Sequence, residues 1–165
     1  MPNIKTEISS HNKKILNNIN QDKPNTILCN CRSEECPMNG HCLKKNLIYQ
    51  AEIAGDKSND PKRYIGSTGN TFKERYRGHK SSFKIKKKRF TTELSKHYWE
   101  LIDKGESPKI TWSIVKEVKS QRSGRNGCNL CNTERYRIAK ADRDKTLNKR
   151  NELKRTCPHY SRNFF

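Results

Sequence analysis

Phe72, Arg75, Tyr76 and His79 fall at i, i+3, i+4 and i+7 in the stretch TFKERYRGHK. That spacing sets all four on one stripe of a helix, the stripe that should face a core. A guanidinium and an imidazole buried there without partners would be costly. Either other elements supply partners or the stripe lines an open cleft. Three more residues are placed to share it. Tyr49 lies among the inward positions of LIYQAEI, Tyr64 opens the short run YIG, and Glu134 shares a helical stripe with Ile138 and Ala141. Of these seven, the five polar groups Tyr49, Tyr64, Arg75, His79 and Glu134 together suit phosphodiester hydrolysis. Arginine pairs with a phosphate in fork geometry and meets the charge that grows in the transition state. A lone carboxylate can hold Mg²⁺, which keeps several waters and takes its other ligands from phosphate oxygens. A tyrosine or a histidine can take a proton from the attacking water. Taken singly, each residue has a plainer reading: core tyrosines, one surface cation among many, a helix-start carboxylate favoured by the dipole. Those readings do not explain why all five occur together.

The elements that must position them are legible as patterns. Leu47, Tyr49, Ala51 and Ile53 alternate onto one face, which predicts a half-buried strand. AGDKSNDPK is turn chemistry and RYIG a second strand, so 46–66 reads as a hairpin. Thr71 with Glu74 makes a capping box and starts a helix. TTELSKHYWELIDKG predicts a second helix carrying Leu94, Tyr98, Leu101 and Ile102, ended by Gly105 and Pro108. KITWSIVKEV, residues 109–118, alternates as a third strand, and CNLCNTERYRIAKA leads into a third helix with Asn132 or Thr133 as its cap. The order β-β-α-α-β-α predicts an α+β domain: a small three-stranded antiparallel sheet flanked by helices.

LIY (47–49) and YIG (64–66) resemble the two half-motifs of the GIY-YIG nuclease domain. The likeness is closer to the endonuclease domain of Penelope-like retroelements. It is carried by CNCRSEECPMNGHC, YIGSTGNTFKERYRGHKSSF, TTELSKHYW, ITWSI, CNLCNTE, LNKRNEL and the late CPH. MPNIKTEISSHNKKIL resembles the linker before this domain in those polyproteins. The resemblance implies a Mg²⁺-dependent DNA endonuclease that leaves a 3′ hydroxyl for target-primed reverse transcription. It also implies a reverse transcriptase in the same polyprotein. It gives Tyr49 the place of the first-motif tyrosine, a general base or water-positioning group, and Tyr64 that of the second. Gly66 would let the backbone approach the scissile region. Arg75 takes the place of the catalytic arginine, His79 that of a histidine one turn later, Glu134 that of the Mg²⁺ ligand, and Asn148 that of a late polar residue completing the site. Leu47 stands where the name-giving pattern has glycine. That glycine is no chemical group in the reaction, so activity is still expected. His97 is a second histidine candidate, or simply a helix-surface residue.

Lys and Arg number 36 against 17 Asp and Glu, for a formal charge of +19. Folding does not need that excess, and a polyanionic partner explains it. The densest block, residues 73–89, holds nine cations and one Glu, which points to nucleic-acid binding, DNA if the resemblance holds, over a merely solvated face. KIKKKR would additionally serve as a nuclear import signal. No long apolar run and no signal peptide are present in these residues, so a soluble intracellular protein without membrane contact is expected, nuclear if it derives from a eukaryotic retroelement. With 30% hydrophobic residues the chain needs a staple besides its core, and the seven cysteines offer one. In a reducing compartment clustered cysteines read first as zinc ligands. Cys29, Cys31, Cys36 and Cys42 form one group. Its tight C-x-C start leaves open that Cys29 or Cys31 is a spectator and His41 or His11 a ligand. Cys128, Cys131, Cys157 and His159 form a Cys₃His set that would pin the helix carrying Glu134. The expected organisation is a linker over 1–28, a zinc knuckle over 29–45 and the nuclease domain over 46–165. The rival expectation is a catalytically inactive, zinc-containing nucleic-acid-binding module.

Overall fold

A computed structural model of the chain describes residues 29–31, 36–57, 60–119, 128–154 and 157. The linker over 1–28, with His11, and the ligand candidate His159 lie outside the described residues. Three strands form one antiparallel sheet: β1 (Leu47–Ala54), β2 (Lys62–Thr68) and β3 (Lys109–Glu117), in the order β2-β1-β3. Three helices follow the expected order: α1 (Phe72–Lys84), α2 (Glu93–Asp103) and α3 (Asn129–Lys140).

β1 is central, and its alternation decides the layers. Leu47, Tyr49, Ala51 and Ile53 are all fully buried, on the face shared with Phe72, Leu94 and Leu101 of α1 and α2. Ile48 is fully buried on the opposite face, with Ile65, Leu130 and Ile138 under α3. Along the rest of that second face Gln50, Glu52 and Ala54 are only half-buried, so β1 keeps its alternation and is covered on both sides at its Ile48 end alone. A register shift between Ile48 and Tyr49, against β3, marks a bulge beside the tyrosine.

The helix ends follow local chemistry, with one correction. Thr71 caps α1 by accepting from Glu74 N at 3.3 Å. At α2 the capping box pairs Thr92 with Ser95. α3 does not start at Asn132 or Thr133: Cys128 is its N-cap and makes no side-chain cap bond. A polar cap stabilises a helix by about 1 kcal/mol. Burial of Leu130 and Cys131 in the first turn outweighs it.

Two segments outside the helices build further structure. The knuckle turns at Asn39 and Gly40, both with positive φ (46° and 88°), and His41 N bonds Met38 O at 3.0 Å. Cys42 and Met38 then enter the main core, so the knuckle is packed onto the sheet domain. After α3 the chain runs along the free edge of β2. Arg63 pairs with Thr146 in a short parallel bridge, with Arg63 N to Lys145 O and Leu147 N to Arg63 O both at 2.7 Å. Residues Arg150–Lys154 close as a 3₁₀ turn.

Candidate active site

The stripe on α1 does face the core, and β1 supplies what its polar members need. Tyr49 pairs with Gly66 across the β1–β2 ladder, and its ring lies over that glycine. A Cβ at position 66 would stand 2.5 Å from Tyr49 Oη and 2.6 Å from Cζ. The glycine is therefore needed for the approach of the phenol. Arg75 Nε donates to Tyr49 Oη at 2.8 Å. Oη also lies 2.8 Å from His79 Nε2. The imidazole is neutral, and its tautomer decides whether Nε2 accepts from the phenol or donates to it. Burial and then the charge of Arg75 push the His79 pKa down to about 3. Burial likewise pushes the Tyr49 hydroxyl up, opposed by Arg75, and pushes Tyr64 up. The aromatic wall of this pocket is made by Trp112, 5.2 Å from the His79 ring, and by Tyr64, 6.1 Å from it.

Glu134 arrives from the other face of the sheet. Ser67 follows Gly66, so its side chain points toward α3, where Ser67 Oγ donates to Glu134 Oε2 at 2.8 Å. Burial raises the Glu134 pKa, and Glu152 raises it further, against the favourable Ser67 bond and Arg75. Arg75 and Glu134 thus act on each other across the Gly66–Ser67 segment of β2.

Asn148 sits at the free edge of the same strand. Its Oδ1 accepts from Ile65 N and its Nδ2 donates to Ile65 O, both at 2.8 Å. The carboxamide thus completes the β2 ladder as a backbone amide would. Nδ2 also donates to Glu152 Oε2 at 2.8 Å. Asn148 is in this way a positioning residue: it fixes the edge of β2 and the carboxylate of Glu152.

All six sequence-predicted residues therefore gather at the Tyr64–Ser67 segment of β2. His97 does not: it lies on α2 with Nδ1 3.5 Å from Glu100 Oε2. Comparison of the chain with known protein families, curated proteins and solved structures finds no match. Two participants escaped the sequence reading, Ser67 and Glu152. Ser67 was signalled by strand alternation, because it shares a parity with Ile65 opposite to that of Tyr64. Glu152 was signalled only by its place four residues after Asn148.

The cysteines of both groups come together, while His159, the fourth ligand expected in the second, lies outside the described residues. Cys29, Cys31, Cys36 and Cys42 bring four Sγ atoms within 4.8 Å of one another. Cys31 to Cys42 is 3.6 Å and Cys29 to Cys42 is 3.5 Å. A tetrahedron with Zn–S bonds of about 2.3 Å has edges of about 3.8 Å, so the set could hold zinc. All four cysteines belong to the group, whereas His41 does not join it. Cys128, Cys131 and Cys157 form the second group, with 3.4 Å between Cys131 and Cys157. The first group is tied to α1 through backbone. Lys73 N donates to Cys42 O at 2.7 Å and Phe72 N to Lys44 O at 3.0 Å. Those are amides of the first helical turn, which lack partners within the helix. The second group stands at the start of α3, one turn before Glu134.

Proposed function

We propose that this chain is a Mg²⁺-dependent DNA endonuclease of the GIY-YIG type, similar to that of Penelope-like retroelements. The observation that carries the reading is the chain of contacts from Arg75 Nε to Tyr49 Oη to His79 Nε2, with Glu134, held by Ser67 on the other side of β2, close enough for its charge to act on the same arginine. Among the described residues only the Nε of Arg75 is engaged, which leaves its Nη atoms for a phosphate in fork geometry. Glu134 would hold Mg²⁺, which when bound supplies neutralisation of charge on the phosphate. Tyr49, its oxygen held by Arg75 and His79, would position the attacking water, whose proton is lost to solvent while the departing 3′ oxygen takes one up from solvent. The water oxygen bonds to phosphorus as the P–O3′ bond breaks, leaving a 5′ phosphate and a 3′ hydroxyl. That hydroxyl would prime reverse transcription by an enzyme of the same polyprotein.

The partner is DNA, in keeping with a formal charge of +19, and KIKKKR would direct the chain to the nucleus. No described helix is long and apolar enough to cross a membrane. One observation favours the inactive binding module instead: Tyr49 is 0% exposed, so water reaches its hydroxyl only if substrate binding opens the pocket. Nicking of supercoiled plasmid with Mg²⁺, by wild type and Glu134→Ala, separates the two. The nuclease reading expects nicking by wild type alone. DNA binding by both with nicking by neither leaves the module.

A further inference from the structure

Between α1 and α2 the chain makes a turn that the site does not use. Lys86–Lys88 form one 3₁₀ turn after the C-cap Ile85. The turn is closed by successive backbone bonds, Lys88 N to Ile85 O at 2.8 Å, Arg89 N to Lys86 O at 3.1 Å and Thr91 N to Lys88 O at 3.1 Å. Two cations fasten it to α2: Arg89 Nη1 lies 3.1 Å and Lys86 Nζ 3.4 Å from the Asp103 carboxylate. Phe90 follows at the tip and is 73% exposed, the most exposed of the large apolar side chains described. The Arg89 guanidinium lies 5.2 Å from its ring centroid. One exposed ring alone is ordinary, but this one ends a run of cations, Lys84 and Lys86–Arg89. Lys84, Lys87 and Lys88, within six residues of it in sequence, are exposed. Lys88 Nζ bonds Ser81 Oγ at 2.9 Å, and Lys84 and Lys87 form no ion pair among the described residues. An apolar partner surface would not tolerate those ammonium groups, whereas a stacked base flanked by phosphates matches both features.

We propose that the Ile85–Phe90 turn is a second contact for duplex DNA. Phe90 wedges against an unstacked base step while Lys84, Lys87 and Lys88 neutralise the flanking phosphates. The proposal rests on the nucleic-acid part of the reading above but not on catalysis. Arg75 and Lys84 are the fourth and last-but-none residues of α1, nine residues apart. At about 1.5 Å per residue the turn begins about 14 Å from the arginine, about four phosphates along one strand. The wedge would hold the duplex on one side of the scissile bond and fix its angle.

The test is equilibrium binding of the full chain, without Mg²⁺, to a fully paired duplex and to the same duplex with a central mismatch, at several salt concentrations. A mismatch lowers the cost of unstacking. Wild type should favour the mismatched duplex. Phe90→Ala should lose about 5- to 150-fold in affinity for it, with its salt slope and melting temperature unchanged. Phe90→Trp should restore the preference. Replacing Lys84, Lys87 and Lys88 together by Ala should weaken both duplexes alike and reduce the salt slope by up to about 2.7. Phe90→Ala that binds both duplexes as wild type does overturns the wedge and leaves the nuclease reading standing. So does a Phe90→Ala loss that appears only with an acidic polypeptide such as polyglutamate, which would make the turn a protein-docking site. Wild type that binds neither duplex overturns both readings.

Discussion

Gly66→Ala tests whether the Tyr49 phenol is the pivot of the site. The new methyl carbon would stand 2.5 Å from Oη, 2.6 Å from Cζ and 3.0 Å from Cε2 of Tyr49. Relief to an ordinary contact of about 3.5 Å needs the ring to move by about 1 Å. The ring has little freedom, since Phe72, His79 and Trp112 have centroids 5.3, 5.8 and 6.0 Å away. Such overpacking costs about 1–3 kcal/mol, which for a domain of this size lowers the melting temperature by about 4–12 °C. The same shift stretches the 2.8 Å bonds from Oη to Arg75 and His79 beyond hydrogen-bonding range. A misplacement of that size costs about 100-fold in rate. The assay is the initial rate of plasmid nicking beside a thermal melt followed by circular dichroism. Gly78→Ala is the control: a Cβ there meets nothing within 4 Å, and alanine in a helix interior should stabilise by about 0.5–1 kcal/mol. A Gly66→Ala protein that melts and nicks like wild type would refute the placement of Tyr49 over the strand.

Three further outcomes are expected. His79 is 2% exposed and its pKa is held at about 3 against an ordinary 6.5, so the unfolded chain binds its proton first. Its contribution to stability is complete above pH 6.5 and is lost as pH falls toward 3, by at most about 1.4 kcal/mol per pH unit. Melting curves of His79→Gln should show a flatter dependence between pH 6.5 and 5 than wild type. Elemental analysis should find two zinc ions per chain, one for each cysteine group. Cys42→Ser should lose one of them and, because Cys42 O holds Lys73 N, also lower the nicking rate. Asn148→Ala leaves the N–H and C=O of Ile65 without their side-chain partner and should destabilise by about 1–3 kcal/mol, read by chemical denaturation.

The local parts of the fold were legible because each rests on residues close in sequence. The inward set Leu47, Tyr49, Ala51 and Ile53 follows from the two-residue period of a strand, and all four are buried. Thr71 as a cap and the α1 stripe follow from helical geometry in the same way. The start of α3 was misread because Asn132 and Thr133 have the better capping chemistry, whereas burial of Leu130 and Cys131 sets the boundary.

By itself the sequence determined which residues share a face, where the described turns fall and that Cys128 and Cys131 can share a metal. These depend on period and spacing, which the covalent chain fixes. Only the tertiary structure decided that the Tyr49 phenol occupies the space Gly66 leaves, and that Arg75 and Glu134 reach the same strand from opposite faces. It also decided that Asn148 and Glu152 lie along the edge of β2. Each of these depends on which strand pairs with which segment, and Arg63 and Thr146 are joined across 83 residues by a bridge that no local pattern records.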